Sequence, residues 1–239
     1  MSKNIIFKAR NEFAFETMLR PYPASTNLPD WWRSVGPFVP NEEDPEGKNL
    51  ILKNKVVNYS FKKCTPMLDA LTSGYIIPLW SDVHVRQTKN GPLLTWRSQQ
   101  EVFLKHGDYS EKVTPPPGYS NYVVKYMNTW IPITPPGYSV LVTSPFGHRG
   151  LPLQAIPAVI DSDKSVLEIL PPMWLKDGFE GIIQKGTPLV QITPFKREDW
   201  VADFDYYRGK DHEILKENTF NTNIISHYIK NIWSKKSYR

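Results

Sequence analysis

Short β-branched and aromatic runs alternate with proline- and glycine-marked turns along most of the chain, the pattern of many short strands. One strand is predicted at Asn4 to Lys8. It is followed by the stretch PYPASTNLPDWWRSVGPFVPNEEDPEG, whose prolines at 21, 23, 29, 37, 40 and 45 forbid long regular structure. Residues 1–50 therefore read as an irregular arm packed on the body. Within it, Leu28 to Arg33 has the makings of one helical turn, and Trp31 and Trp32 would then need an apolar surface to cover them. A short helix is predicted at Thr65 to Gly74, with Thr65 as cap, Pro66 at the first helical position and Gly74 just past the end.

Tyr75 to Trp80 and Val83 to Arg86 read as strand, and Asn90-Gly91 turns the chain back into Leu93 to Trp96 as a hairpin. Further strands are predicted at 100–104, 121–127, 129–133, 138–143, 153–160, 166–170, 179–183 and 188–193. No long helical pattern alternates with them, so an antiparallel sheet is expected and a parallel α/β one is not. From Asn221 onward the period changes. Ile224, Ile225, Tyr228, Ile229, Ile232 and Trp233 fall at helical spacing and end in a basic turn with Lys235, Lys236 and Arg239. The expected organisation is thus an arm at 1–50, a β-rich core domain at 51–200 and a C-terminal helical segment at 201–239. The fold class is mainly β, a jelly-roll or β-clip-like antiparallel sandwich or barrel.

Composition narrows the classes. With 239 residues, 40% of them hydrophobic, and with 8 Trp, 12 Tyr and 11 Phe, the chain can bury enough apolar surface to fold, which excludes general disorder. The 22 prolines agree with many turns. A single cysteine, Cys64, excludes an internal disulfide and cysteine-rich zinc sites, and is expected to pack rather than react. A net charge of +5 is mild, and the aromatics do not interleave with a basic run, so there is no strong nucleic-acid signal. No apolar run approaches 18 residues and the start MSKNIIFKARNEF lacks a secretory pattern. A protein of the cytoplasm of an infected bacterial host, or of a virion, is expected, not one exported by a signal peptide.

Candidate chemistry concentrates at residues 135–197. Ala158-Val159-Ile160-Asp161-Ser162-Asp163, and after it Lys185-Gly186-Thr187-Pro188-Leu189-Val190-Gln191, resemble two consecutive motifs of the dUTPase and dCTP-deaminase superfamily. The match is carried by Asp161, Asp163, Lys185, Gly186 and Gln191. The resemblance implies a distorted, usually trimeric jelly-roll and a possible nucleotide ligand, with Asp161 orienting a sugar hydroxyl and activating the attacking water. Asp163, His148, Arg149 and Gln191 would join it as ligand-binding candidates. Lys164, however, stands where the family has a base-stacking tyrosine, and Thr187 replaces an acidic residue. Ser144 to Arg149 keeps little of the proline-arginine-serine motif, and the glycine-rich phosphate-closing motif is missing. Phosphoryl chemistry depends on such positioned charges, so catalysis is not expected.

Three further stretches resemble a family of phage and bacterial proteins: Cys64 to Ala70 with Gly74 to Pro78, Thr134 to Ser139, and Phe179 to Ile183 through Phe195-Lys196-Arg197. That resemblance spans roughly residues 20–200 and implies occurrence in phage genomes with no established activity. His106-Gly107-Asp108, with His148 as the distal histidine, has the residue types of the iron triad of 2-oxoglutarate oxygenases, which also use jelly-rolls. Such a short motif arises readily by chance with 5 His and 24 acidic residues. No cofactor is expected. The expected function is that of a non-enzymatic, phage-associated β protein acting through protein partners or self-association, in assembly or host interaction. Trp31, Trp32, Ile225, Ile229 and Trp233 are its partner-binding candidates. The alternatives are a dUTPase-like nucleotide-binding or nucleotide-hydrolysing protein and, behind it, an oxygenase-like jelly-roll.

Overall fold

A computed structural model of the chain describes residues 3–40, 44–46, 59–107, 112–164, 167–222 and 225–239. The chain divides into two units. The first comprises residues 1–27, 73–197 and 238–239, and the second residues 28–72 and 198–237. The N-terminal segment that reads as arm is thus shared between them.

The first unit is mainly β. It begins with β1 (Ile6–Ala9), α1 (Glu12–Thr17) and β2 (Tyr22–Pro23). Helix α1 is absent from the sequence reading, yet its local cause is simple: the Asn11 side chain accepts the Ala14 amide at 2.9 Å and Glu12 sits in the first turn. Then come β3 (Tyr75–Pro78) and the predicted hairpin β4 (Val83–Thr88) and β5 (Gly91–Thr95), but Thr88 stands opposite Gly91, so Lys89-Asn90 forms the two-residue loop, one position earlier than an Asn90-Gly91 turn. The remaining strands are β6 (Phe103–Lys105), β7 (Tyr119–Tyr126), β8 (Trp130–Ile133), β9 (Tyr138–Thr143), β10 (Leu153–Ala155), β11 (Ala158–Ile160), β12 (Pro172–Lys176), β13 (Gly181–Ile183) and β14 (Pro188–Lys196). The predicted strand at 166–170 does not form over 167–170; residues 165 and 166 lie outside the described set.

These strands build four antiparallel sheets: β1-β8, β10-β12-β7-β6, β11-β9-β14-β3-β2 and β13-β4-β5. No sheet among the described residues closes into a barrel, so of the two expected architectures the sandwich-like one is found. The sheets meet in one apolar core that includes Ile77 and Val190 of the five-stranded sheet, Tyr126 and Leu175 of the four-stranded sheet, and Val85 and Ile183 of the three-stranded sheet. Each fully buried aliphatic side chain there contributes about 1.5–3 kcal/mol relative to exposure. In β4 the pattern alternates, Val83 and Val85 buried against exposed His84 and Arg86. That marks a sheet with one wet face. In β14 four consecutive residues, Leu189 to Ile192, are buried, as expected of a central strand covered on both faces.

The second unit contains α2 (Asp30–Ser34), α3 (Thr65–Leu71), α4 (Gly209–Thr222) and α5 (Ile225–Asn231). Helix α3 lies where predicted, but Cys64 rather than Thr65 occupies the cap. Cys64 is exposed, against the expectation that it packs, because a cap residue projects from the helix end. In the predicted C-terminal helical region α4 starts well before Asn221, and α5 carries Tyr228 and Ile229 of the predicted spacing; residues 223 and 224 lie outside the described set.

Gly74 takes a φ of +70°, and a Cβ there would lie 1.9 Å from the Ile192 carbonyl oxygen of β14. Both facts demand glycine. Gly74→Ala is expected to destabilise the fold by roughly 2–4 kcal/mol. Thermal unfolding should show a melting temperature lower by about 5–15 °C; an unchanged midpoint would contradict the packing of this turn on β14.

Candidate functional site

The residues matched to the first superfamily motif do come together, around a cation that the sequence reading leaves without a role. Asp161 follows β11, whose Ile160 pairs with Val140 of β9, while Arg197 follows directly on β14. The register of β9 and β14 sets Lys196 opposite Tyr138, which delivers the Arg197 side chain to the turn after β11. Its guanidinium donates from Nη2 to Asp163 Oδ2 at 2.5 Å, and from Nη1 to Asp163 Oδ1 at 2.8 Å and Asp161 Oδ1 at 3.3 Å. This is a forked pair on Asp163, the geometry for which arginine is suited. Nη1 also reaches the Tyr138 carbonyl oxygen at 3.0 Å and Ser139 Oγ at 2.8 Å.

The rest of the cluster completes the set. Ser139 Oγ donates to Asp161 Oδ1 at 2.7 Å, and the Gly137 amide donates to Asp163 Oδ2 at 2.7 Å. Between the two acids, Ser162 is buried and shares a 2.7 Å hydrogen bond with Thr134. Asp163 retains 5% side-chain exposure, whereas Asp161 retains 48%. Hydrogen bonding from Arg197, reinforced by the Gly137 amide and the guanidinium charge and opposed by burial, holds the Asp163 carboxyl down at about 2. Chemically, the cluster is an ion pair, saturated at Asp163 and open at one side of Asp161, that staples the ends of β9, β11 and β14.

The other ligand-binding candidates sit elsewhere on the same sheet. Gln191 pairs with Thr143, four residues along β9 from Ser139, or about 13 Å. It is buried, accepting the Phe146 amide on Oε1 at 2.7 Å and donating from Nε2 to the Ser73 carbonyl oxygen at 2.5 Å. It therefore fixes the turn carrying His148 and Arg149. His148 Nε2 donates to the Asn27 carbonyl oxygen at 2.9 Å, and Arg149 is exposed. The candidates thus form two groups, Asp161 with Asp163 and Gln191 with His148.

Of the metal candidates, His106 has its backbone amide on the Val123 carbonyl oxygen and a buried Nδ1 without a hydrogen-bond partner, while Asp108 lies outside the described residues. No three His, Cys, Asp or Glu residues gather as a metal site among the described residues. Of the partner-binding candidates, Trp32 is buried, with Lys62 Nζ donating to its carbonyl oxygen at 2.5 Å, and Trp31 is half-buried with its ring edge-on to Trp32. Trp233 donates its indole N–H to Asp69 of α3 at 2.8 Å, and Lys236 pairs with the same carboxylate at 2.6 Å. Ile229 is 42% exposed, and the side chain of Ile225 lies outside the described set.

Two features escape the sequence reading. One is a groove of about 780 Å³ in the first unit. Its lining includes Trp80, Trp96, His84, Arg97, Ile182 and Lys185. Strand pairing assembles part of it, setting Ile182 of β13, His84 of β4 and Thr95 of β5 in one row. The other is the stretch Glu198 to Arg208, outside any helix or strand, where Trp200, Val201, Phe204, Tyr206 and Tyr207 are 86%, 95%, 92%, 70% and 61% exposed. Its alternation of acids with aromatics was a usable signal; the groove, assembled from distant residues, gave none.

The Arg197 cluster predicts a pH dependence. A carboxylate whose folded pKa lies below its unfolded value, about 4, stabilises the fold above that value and loses the contribution as pH falls toward 2. Thermal midpoints followed from pH 6 to about 2 should therefore fall less steeply below pH 4 for Asp163→Asn than for the unaltered chain. Equal slopes would contradict the pairing. Comparison of the chain with protein-family models, with curated proteins and with solved structures gives no match.

Proposed function

We propose that the protein acts through protein–protein contacts, without catalysis, in the assembly of a phage or in its interaction with the host. The observation that carries the reading is the run from Glu198 to Tyr207, which holds Trp200, Val201, Phe204, Tyr206 and Tyr207 out in solvent. Exposed apolar residues scattered singly need no explanation, but five within eight positions form a continuous adhesive stretch. Burying such side chains against a partner gains about 1.5–3 kcal/mol each, and tryptophan and tyrosine are the usual anchors of interfaces. Glu198 and Asp199 just before these residues, and Asp203 and Asp205 among them, keep the stretch hydrated until a partner covers it.

Two considerations support contact over nucleotide hydrolysis. Asp163 has both oxygens held by Arg197 and the Gly137 amide, so it is not set up as a general base, and Asp161 has one oxygen committed to Ser139 and Arg197. Gln191 is buried in backbone contacts rather than turned to a ligand. The phage setting rests on the resemblance of Cys64 to Pro78, Thr134 to Ser139 and Phe179 to Arg197, and with it the location, an infected cell or a virion. No helix among the described residues is long and apolar enough to cross a membrane.

Replacing Phe204 by a photoreactive benzoylphenylalanine in the full chain tests the reading. Irradiation of cells producing it should give discrete adducts, cut at least about tenfold by an accompanying Trp200→Ser, as expected for loss of an anchor. The same probe at exposed Lys216 of α4 serves as control. Yields at position 204 no higher than at 216, or insensitive to Trp200→Ser, would overturn the proposal.

A further inference from the structure

We propose that the groove containing Trp96, Arg97 and Lys185 receives the Glu198–Tyr207 segment of a second copy of this chain. The inference rests on the contact reading above and names its partner. Its ground is complementarity in both charge and apolar character. From 198 to 208 the segment carries four carboxylates against one cation, Arg208, which pairs with Asp205 at 2.9 Å, so the segment stays net acidic, with Trp200 and Phe204 four positions apart. The groove presents the opposite: Arg97, Lys185 and His84 are exposed along it, and its floor and walls include Trp80, Trp96 and Met18.

Two residues of the lining carry apolar surface that the first unit leaves uncovered, Ile182 at 62% exposure and Phe13 at 51%. The one acid in the lining, Asp82, accepts the Lys185 backbone amide on Oδ1 at 2.6 Å, and the exposed Lys185 and Arg97 outnumber it along the groove. A volume of about 780 Å³ lies within the 300–1,000 Å³ typical of sites that enclose compact ligands. Aromatic anchors seated among Trp80 and Trp96, with carboxylates at a rim of Arg97 and Lys185, reproduce the apolar centre and polar border of specific interfaces.

Each copy offers one segment and one groove. Exchanged reciprocally between two copies, the contact is made twice in a twofold dimer. The carboxylate contacts lie at the rim, so they respond to salt, whose screening length falls from about 10 Å at 0.1 M to about 3 Å at 1 M.

Sedimentation velocity of the full chain over a range of concentrations tests the proposal. The unaltered protein should dimerise, more weakly at about 1 M salt than at about 0.1 M. Arg97→Glu with Lys185→Glu, and separately Asp199→Lys with Asp203→Lys, should each raise the dissociation constant at least about tenfold. All four together should bring it back to within about threefold of the unaltered protein, since the charges are then exchanged across the same contact. Thermal melting confirms that each variant folds, as the altered side chains are at the surface. A dimer broken by the segment variant but untouched by the groove variant, or double variants that do not rescue each other, overturns the inference and leaves the contact reading in place. A monomer at every concentration also overturns it; an adduct from position 204 to a different protein would then identify the partner. Loss of both the adduct and the dimer would remove the two readings together.

Discussion

A single guanidinium holds three chain segments where β14 leaves the sheet. Arg197 reaches Asp163 with both terminal nitrogens, and Asp161, Ser139 and the Tyr138 carbonyl oxygen with one of them. Its own amide donates to the Gly137 carbonyl oxygen at 2.9 Å. The turn after β11, the start of β9 and the end of β14 are thereby joined. The six-pair ladder between β9 and β14 depends on this register at one end, and at the other on Gln191, which ties the 145–148 turn and Ser73 to the same strand. A central strand buried on both faces tolerates little slippage, because a shift of one residue would turn Gln191 and Ile192 to each other's surroundings.

The clamp also bears on function, because it engages the carboxylates that the superfamily resemblance marks for chemistry. An aspartate that activates water needs a hydrogen-bonding position open to it. Asp163 is 5% exposed and saturated, and Asp161, though half open, shares one oxygen with Ser139 and Arg197. Directly after the clamp the sequence changes character, from the alternating β14 to acids interspersed with exposed aromatics. The proposed reading places function in that stretch and assigns the aspartates to holding the sheet.

Much of the β architecture is legible in the sequence because its determinants are local. Asn90-Gly91 marks the β4–β5 hairpin, Pro66 and Gly74 bracket α3, and β-branched runs mark β9 and β14. The failures follow from the same logic. Helix α4, Gly209–Thr222, has no apolar stripe, so a reading based on periodicity passes over it. Helix α1 is six residues long and depends on the single cap Asn11 inside a proline-rich stretch. The Arg197 cluster was half visible: Asp161 and Asp163 stand out as a motif, but their cation lies 34 residues beyond Asp163, and nothing in linear spacing foretells that pairing. The groove residues Trp96 and Lys185 are brought together only by the β13-β4-β5 pairing.

The central claim, that the paired aspartates staple the sheet and do not serve a nucleotide, is tested most directly by calorimetric titration of the full chain with deoxyuridine triphosphate and magnesium. The account predicts no saturable heat, for the unaltered chain and for Asp161→Ala alike. Saturable binding to the unaltered chain that is abolished by Asp161→Ala, in a variant that still melts cooperatively, would contradict it.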